Sequence, residues 1–340
     1  MRIGIVGGSF DPIHYGHIEM AKTALNQLNC EEVWFMPTQD TPLKERTLTK
    51  SDDRVAMIES ILSFDSRFRL CLKEVQKKGK SYTIDTLREL KAEYPNDNFV
   101  FLIGTDQMKQ FDRWKEADQL VQLAQFVCVD RYGEQCQSSY PIQTIHMSLM
   151  PVSSSDIRKG NKLNYLPKPV LSYIYQHRLY IQDFIKERVN THRYNHSCSV
   201  ASLCEQMAIA NGLDGQKAYL IGLFHDIAKN MSKDEMEKWM DILCPENKSY
   251  AVAVWHGFVG SEIVDRIFYL NDPEIKNAIY HHVLGSSTNP YAMIVFCADK
   301  TDPLRDYDST AQIQACKEDI YAGFQWIKEE NEKYLRKEKI

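Results

Sequence analysis

The first half of the chain alternates short apolar runs with segments in which apolar residues recur every three or four positions. The helical spacing is clear in Ile18, Ala21, Leu25 and Leu28, which predicts a helix after the first strand. Six strands are predicted at Ile3–Val6, Val33–Met36, Phe68–Leu72, Phe99–Ile103, Phe126–Val129 and Ile145–Leu149. Further helices are predicted at Arg54–Leu62 and Ile84–Lys91. This alternation predicts an α/β domain with a mainly parallel sheet and crossover helices.

The pattern changes beyond Ile181, where strand-like runs largely disappear. Helical periodicity continues through His196–Asn211, Lys217–His225, Lys233–Leu243, Ala251–Phe268 and Pro273–His282. A chain of 340 residues is long enough for two domains. We therefore predict an α/β domain over residues 1–182, closed by a last helix at Val170–Tyr180, and an all-α domain over residues 183–340.

A glycine-rich turn follows the first predicted strand. Gly7 and Gly8 let backbone N–H groups approach an anion, and they are followed by Ser9, Phe10 and a His-x-Gly-His sequence. His14 and His17 then lie at the N-terminus of the next helix. Imidazole donors, added to the free N–H groups and the positive end of the helix dipole, can hold phosphates and stabilise a leaving pyrophosphate.

Other polar residues also follow predicted strands. They are His14, Lys44, Asp106 and the segment Ser153–Arg158, and ligands of parallel sheets bind at the carboxyl ends of the strands. Ser154 or Ser155 is expected to cap a short helix, from which Arg158 offers a forked cation to a triphosphate. The sequence thus predicts one nucleotide site at this edge of the sheet.

Five motifs occur in order along this half. They are Gly7–His17, Pro37–Lys44, Ser81–Thr86, Ile103–Asp106 and Ser153–Arg158. Together they resemble the signature of the nucleotidyltransferase superfamily, and most closely the bacterial nicotinate-nucleotide adenylyltransferases. The resemblance implies a Rossmann-like fold and transfer of an adenylyl group from ATP, with Mg²⁺, to nicotinate mononucleotide.

By this resemblance, His14, His17, Lys44 and Arg158 are the catalytic residues on the ATP side. The implied ATP-binding residues are Gly7, Gly8, Ser9, Phe10, His14, His17, Ser154, Ser155 and Arg158. Those implied for the nicotinate nucleotide are Thr83, Asp106 and Trp114, although Trp114 also fits a half-buried core position. The chain departs from its relatives at Leu43, where a histidine is frequent, and at Lys115, where an aromatic is common. The choice between nicotinate and nicotinamide therefore depends on the resemblance.

Histidines and aspartates recur across the helices of the second half. The set comprises His196, His225-Asp226, His256, His282 and Asp299, and neutral imidazole with carboxylate suits iron, manganese or zinc. These positions resemble the HD superfamily, and more closely the bacterial HD-domain hydrolases that cut diadenosine tetraphosphate into two ADP. The resemblance implies that these six residues hold two transition-metal ions, iron by family likeness, with Asp226 as a catalytic bridging ligand.

Further candidates in this half are His281, Lys229 and Arg305. His281 and His282 point about 100° apart on a helix, and the register with Ala278 and Ile279 favours His282 as the ligand. Lys229 and Arg305 are candidates for the rest of the polyphosphate, although both also fit solvated surface positions.

Charge and composition limit the kinds of partner and the cellular compartment that the sequence predicts. The formal net charge of −5, without a basic tract, argues against nucleic acid as the main partner. No apolar run approaches the length of a membrane span, and Met1 leads directly into a predicted strand. The nine cysteines are scattered and lack a Cys-x-x-Cys pair, which favours a reducing cytoplasm.

The sequence therefore predicts a bifunctional enzyme that acts on ATP, nicotinate mononucleotide and diadenosine tetraphosphate. An alternative keeps the adenylyltransferase and makes the second domain a module that senses or binds nucleotides without hydrolysing them.

Overall fold

The chain forms two compact units, Met1–Leu179 and Tyr180–Ile340, in the computed structural model, which describes residues 1–39, 47–77, 81–130 and 138–337. The division lies just before the predicted boundary at residue 182. Helix Ile181–Lys186 explains the difference, because its buried Phe184 stacks on Phe268 of the second unit at 5.9 Å between ring centroids.

The first unit contains a six-stranded sheet in which every pairing is parallel. The strands are β1 (Arg2–Gly8), β2 (Glu32–Pro37), β3 (Phe68–Leu70), β4 (Asn98–Gly104), β5 (Gln125–Asp130) and β6 (Gln143–His146). The predicted α/β architecture is confirmed. The last strand ends earlier than predicted, and Leu149, which the apolar pattern included in it, is 67% exposed.

Among the described residues of this unit, five α-helices lie between the strands and two follow β6. They are α1 (Tyr15–Gln27), α2 (Ser51–Glu59), α3 (Thr83–Glu93), α4 (Thr105–Met108), α5 (Ala117–Leu123), α6 (Ser154–Arg158) and α7 (Lys168–Gln176). The strand order β3-β2-β1-β4-β5-β6 reverses its direction between β1 and β4. Crossover connections leave such a point on opposite faces, so a crevice forms outside the carboxyl ends of these two strands.

The second unit is all-α over its described residues, as predicted. Its helices are α8 (Ile181–Lys186), α9 (Thr191–Ala210), α10 (Gly215–Phe224), α11 (Lys233–Leu243), α12 (Val252–Arg266), α13 (Pro273–His281), α14 (Pro290–Lys300), α15 (Thr310–Glu318) and α16 (Ile320–Lys337). Helix α14 is buried at nearly every position. It was absent from the predicted helices because a helix that is apolar all round shows no amphipathic period.

Among the described residues, none of these helices is both long and apolar enough to cross a membrane.

Candidate functional site

The first unit has a cavity of about 470 Å³ at the carboxyl ends of its strands. It is lined by eleven of the residues expected to bind nucleotides: Gly7, Gly8, Ser9, His14, His17, Thr83, Asp106, Trp114, Ser154, Ser155 and Arg158. The volume is in the range of small-ligand sites. The fold thus brings together residues from the beginning and from the end of the sequence of this unit. Lys44, a predicted catalytic residue, lies outside the described residues.

The two histidines at the start of α1 are held in a defined orientation. His14 Nδ1 accepts from the backbone N–H of Gly16 at 3.1 Å, and His17 Nδ1 accepts from the backbone N–H of His14 at 3.3 Å. Since each Nδ1 is an acceptor, the neutral rings carry their protons on Nε2. The two imidazoles, 3.9 Å apart between centroids, can therefore donate Nε2–H groups at the cavity.

The glycine turn brings the backbone close to the cavity. A Cβ atom on Gly7 would lie 2.8 Å from the Phe101 ring, so a side chain is not accommodated there. Phe10, by contrast, is fully buried, and its ring packs 5.0 Å from the His17 ring and 6.0 Å from that of Phe35. Its side chain supports His17 from behind, and Phe10 is not among the cavity-lining residues.

Helix α6 is tied to the loop that precedes α1. Arg158 Nη1 donates to the Asp11 carbonyl at 2.6 Å, and Ser154 Oγ donates to the Pro12 carbonyl at 2.9 Å. The predicted cap was wrong: Ser153 Oγ accepts from the Asp156 N–H. Ser153 alone has the extended backbone of an N-cap residue, which leaves Ser154 and Ser155 within the first turn and facing the cavity.

Part of the cavity lining is aromatic. The Trp114 ring packs against Phe101 and Phe111 at 6.1 and 5.4 Å between centroids. Its indole Nε1 is buried without an acceptor among the described residues. Lys115 also lines the cavity, with Nζ 4.7 Å from the centroid of the Tyr82 ring. An aromatic face and a buried donor suit a flat heterocycle.

Sequence reasoning missed two buried charged residues of this unit. Arg54 is 1% exposed and donates to the carbonyls of four residues in the loops after β1 and β2: Ser9, Thr38, Gln39 and Thr49. Glu74 lines the cavity and is 2% exposed, and this burial raises the pKa of its carboxyl to about 7. No motif marks either residue, since each lies in a segment of ordinary surface-like sequence.

The second unit brings six predicted metal ligands together. They come from five helices or the turns that end them: His196 on α9, His225 and Asp226 after α10, His256 on α12, His282 after α13 and Asp299 on α14. All six are buried, none more than 8% exposed. Six residues so far apart in sequence converge because the helices pack around one centre.

Asp226 lies between two groups of histidines. Its Oδ2 atom is 3.9 Å from His196 Nε2 and 3.5 Å from His225 Nε2, while its Oδ1 atom is 3.2 Å from His256 Nε2 and 3.7 Å from His282 Nε2. The atoms of each group lie within 4.8 Å of one another. One carboxylate oxygen facing each group is the arrangement of a bridging ligand.

Each histidine of the cluster has its Nδ1 atom engaged. The Nδ1 atoms of His225, His256 and His282 pair with backbone carbonyls three residues earlier, at 2.7, 2.8 and 2.6 Å. His196 differs, because its Nδ1 is 2.5 Å from Oδ2 of Asp302. Such contacts fix the tautomer that leaves Nε2 available to a metal.

Burial controls the charge of these rings. It lowers the pKa of His225 to about 4 and lowers the pKa values of His256 and His282. For His196 burial also disfavours the charged form, but Asp299 and Asp302 outweigh it and raise the pKa to about 9. Three rings are thus neutral at pH 7, as metal ligands must be.

Cations surround the cluster. Lys229 Nζ lies 3.3 Å from His256 Nε2, and Arg305 Nη2 lies 3.0 Å from Asp299 Oδ1. Sequence reasoning had assigned no role to Arg193, whose Nη1 lies 2.6 Å from Asp226 Oδ2, or to Lys300, whose Nζ lies 2.9 Å from Asp299 Oδ2. The available signal was their position in the sequence, because Arg193 lies three residues before His196 and Lys300 directly follows Asp299.

His282, and not its neighbour, contributes to the cluster. His282 is 1% exposed, whereas the Nδ1 atom of His281 pairs with Ser286 Oγ at 2.7 Å on an exposed part of the unit. The geometry follows the expected divergence of adjacent helical side chains.

Comparisons with known proteins match both units. Residues 5–160 match the model of cytidylyltransferase-like domains, and residues 193–304 match that of HD domains. The chain is 30% identical over 312 residues to the Mycoplasma genitalium protein named nicotinate-nucleotide adenylyltransferase/Ap4A hydrolase, covering 89% of this chain and 88% of that protein. The protein of the same name from Mycoplasma pneumoniae is 28% identical, with 94% and 96% covered. A nicotinate-nucleotide adenylyltransferase of Shouchella clausii is 42% identical over 52% of this chain and 95% of its own length.

Proposed function

Because this chain belongs to the family of nicotinate-nucleotide adenylyltransferase/Ap4A hydrolases, we propose that each of its two units carries one reaction of a bifunctional enzyme. The first transfers an adenylyl group from ATP to nicotinate mononucleotide. The second cleaves diadenosine tetraphosphate, Ap4A, symmetrically into two ADP. We assign the first activity to Met1–Leu179 and the second to Tyr180–Ile340, close to the predicted domains 1–182 and 183–340.

The observation that carries the first activity is a single cavity lined both by the proposed phosphate donors His14, His17 and Arg158 and by Trp114. ATP enters as its Mg²⁺ complex. A 5′-phosphate oxygen of nicotinate mononucleotide attacks the α-phosphorus of ATP, and the bond from that phosphorus to the bridging oxygen of the β-phosphate breaks. Pyrophosphate leaves, and no covalent intermediate or proton acceptor is needed because the nucleophile is already an anion.

The residues of the cavity hold and stabilise these groups. His14 and His17 donate Nε2–H bonds to the triphosphate, and the backbone of Gly7, Gly8 and Ser9 lies along it, while Phe10 contributes by packing against His17. Ser154, Ser155, Arg158 and Lys44 complete the ATP side by the family pattern. Thr83, Asp106 and Trp114 hold the nicotinate nucleotide, with the pyridine ring against the indole. The rate enhancement comes from positioning of the two nucleotides and from stabilisation of the charge that develops in the transition state.

The observation that carries the second activity is the convergence of four Nε2 atoms and two carboxylates. His196, His225, Asp226, His256, His282 and Asp299 would hold two transition-metal ions, which we infer to be iron from the family pattern. When bound, the ions supply a hydroxide nucleophile and neutralise phosphate oxygens. Lys229 and Arg305 bind the polyphosphate, and Arg193 and Lys300 add positive charge beside the same carboxylates.

We also place the protein in the cytoplasm, with these nucleotides as its partners. The eight cysteines within the described ranges are all free. Free, mostly buried thiols suit a reducing compartment.

Two matched variants test the assignment. His17→Ala removes a phosphate donor and is expected to abolish dinucleotide synthesis while Ap4A cleavage continues. Asp226→Ala removes the bridging carboxylate and is expected to do the reverse. His192→Ala, at an exposed position of α9, should change neither rate.

Product identification and metal analysis decide between the proposal and a nucleotide-sensing second domain. We expect about two transition-metal ions per chain and ADP as the product of Ap4A. Binding of Ap4A without turnover would favour the sensor. Loss of both activities in either folded variant would contradict the assignment of one reaction to each unit.

A further inference from the structure

His196 is oriented by a carboxylate, whereas the other three histidines of the cluster are oriented by carbonyls of their own helical turns. A carbonyl partner is supplied by any helix and carries no net charge. A carboxylate partner makes the imidazole more basic at its other nitrogen and strengthens its bond to a metal. The four nitrogen ligands are therefore unequal.

Asp302 is itself held rigidly. It is 1% exposed, and while Oδ2 faces His196, Oδ1 accepts from Ser199 Oγ at 2.5 Å and from the Leu304 N–H at 3.1 Å. Two of these partners, His196 and Ser199, lie on α9. The carboxylate thus connects the end of α14 to the ligand-bearing face of α9.

The contact affects one side of the cluster. His196 belongs with His225 and Asp226 in one group, whereas His256 and His282 share the other oxygen of Asp226. The Nδ1 atoms of His256 and His282 pair instead with the carbonyls of Ala253 and Ile279. A substitution of Asp302 should therefore change the binding affinities of two bound ions unequally.

We propose that Asp302 is a positioning residue that sets the metal affinity of the position formed by His196, His225 and Asp226, and leaves the position of His256 and His282 unchanged. This inference depends on the proposed function, in which the cluster holds two metal ions.

The test compares wild type with Asp302→Asn after chelation and titration with Mn²⁺. The amide oxygen can still accept from Nδ1, but the negative charge is removed. Wild type is expected to bind two Mn²⁺ per chain as a spin-coupled pair. In the variant, one ion should bind as before and the other about 10- to 100-fold more weakly. The EPR signal of an isolated Mn²⁺ should therefore appear when one equivalent of Mn²⁺ has been added, and it should persist when a second equivalent is added.

Ser199→Ala is the matched control, since it removes a neutral donor and leaves the carboxylate in place. It should bind both ions nearly as wild type does. Chelated wild type and Asp302→Asn should have similar unfolding midpoints, which separates metal affinity from stability. Two Mn²⁺ bound with wild-type affinity by Asp302→Asn, or equal weakening of both ions, would overturn the inference.

A second measurement needs no variant. In Zn²⁺-loaded wild type with ¹⁵N-labelled histidine, the Nδ1 proton of His196 should resonate farthest downfield of the four, because its acceptor is charged. Four similar shifts would contradict the inference. Failure of wild type to bind any metal would contradict the proposed function instead.

Discussion

At the scale of single residues, both sites depend on side chains that hold others in place. Arg54 is buried and connects the loops after β1 and β2 through the carbonyls of Ser9 and Thr38, two residues that line the cavity. Asp302 has a corresponding role in the second unit, where its Oδ2 atom pairs with Nδ1 of His196 and orients that ring. Each is a charged group whose burial is tolerated because polar atoms surround it.

Arg54→Lys is expected to destabilise the first unit and to raise the KM for ATP. One ammonium group cannot reach the carbonyls of Ser9, Thr38, Gln39 and Thr49 together, and each lost bond to a charged group costs about 1.5–3 kcal/mol. Urea unfolding and steady-state kinetics measure both effects. Arg67→Lys, at an exposed ion pair with Asp65, is the control, and equal results for the two variants would contradict the prediction.

Glu74 should make the stability of the first unit depend on pH. Its folded pKa of about 7 lies above the ordinary glutamate value of 4.5, so folding favours the protonated carboxyl. The stabilisation is complete below pH 4.5 and is lost as the pH rises through 7, an effect of about 3 kcal/mol at most.

Glu74→Gln should remove most of this dependence. Between pH 5 and pH 8, the free energy of unfolding of the first unit should fall more in wild type than in the variant. The unfolding transition of this unit is identified as the one whose midpoint shifts when ATP is added. Glu59→Gln, at an exposed position of α2, should behave as wild type. Parallel pH profiles for wild type and Glu74→Gln would show that the carboxyl is solvated in the folded protein.

At the scale of elements, helices α9 and α10 pack closely beside the proposed metal cluster. A Cβ atom on Gly222 would lie 2.7 Å from Ala201 Cα and 2.9 Å from its N atom. The Gly222 carbonyl is also the partner of His225 Nδ1. The glycine therefore sets the spacing between the helix of His196 and the turn that carries His225.

Gly222→Ala is expected to lower both the metal content and the stability of the second unit. The alanine gains about 1 kcal/mol of helix propensity, but overpacking against a backbone costs about 1–3 kcal/mol and moves His196 away from His225. Metal analysis and thermal unfolding measure the result. Gly260→Ala on α12 is the control, because its Cβ would lie 3.5 Å from Ile279 Cγ2; equal metal contents in the two variants would contradict the argument.

Helices and strands with a clear period were predicted well. Helix α11 occupies the predicted range Lys233–Leu243, because its buried face alternates with a charged one. The boundaries of α2 and β6 were less accurate, since local sequence does not specify where tertiary contacts end an element. Helix α14 was missed for the opposite reason, as its apolar residues face the core on all sides.

At the scale of the whole molecule, each site is built within one unit. All six proposed metal ligands lie in Tyr180–Ile340, and the nucleotide cavity lies in Met1–Leu179. A ligand that binds only the folded form of one unit stabilises that unit by mass action.

Metal removal should therefore lower one of two thermal transitions. Chelation is expected to shift the transition of the second unit downward by several degrees, while the transition that ATP raises stays in place. Calorimetry with and without chelator measures this. Asp226→Ala, which lacks the bridging carboxylate, should show no further shift on chelation, and a shift of both transitions in wild type would mean that the units unfold together.

The sequence by itself determined the two fold classes, and through its family resemblance it indicated the chemistry of each half and the candidate ligands. It could do so because glycine turns, His-x-Gly-His and His-Asp pairs are local patterns whose residue types limit the chemistry. Only the tertiary structure decided that Ser153 is the helix cap, that Phe10 supports His17, and that Arg54, Glu74 and Asp302 belong to the sites. Their roles come from burial and from partners distant in sequence, and neither leaves a periodic or local signal in the chain.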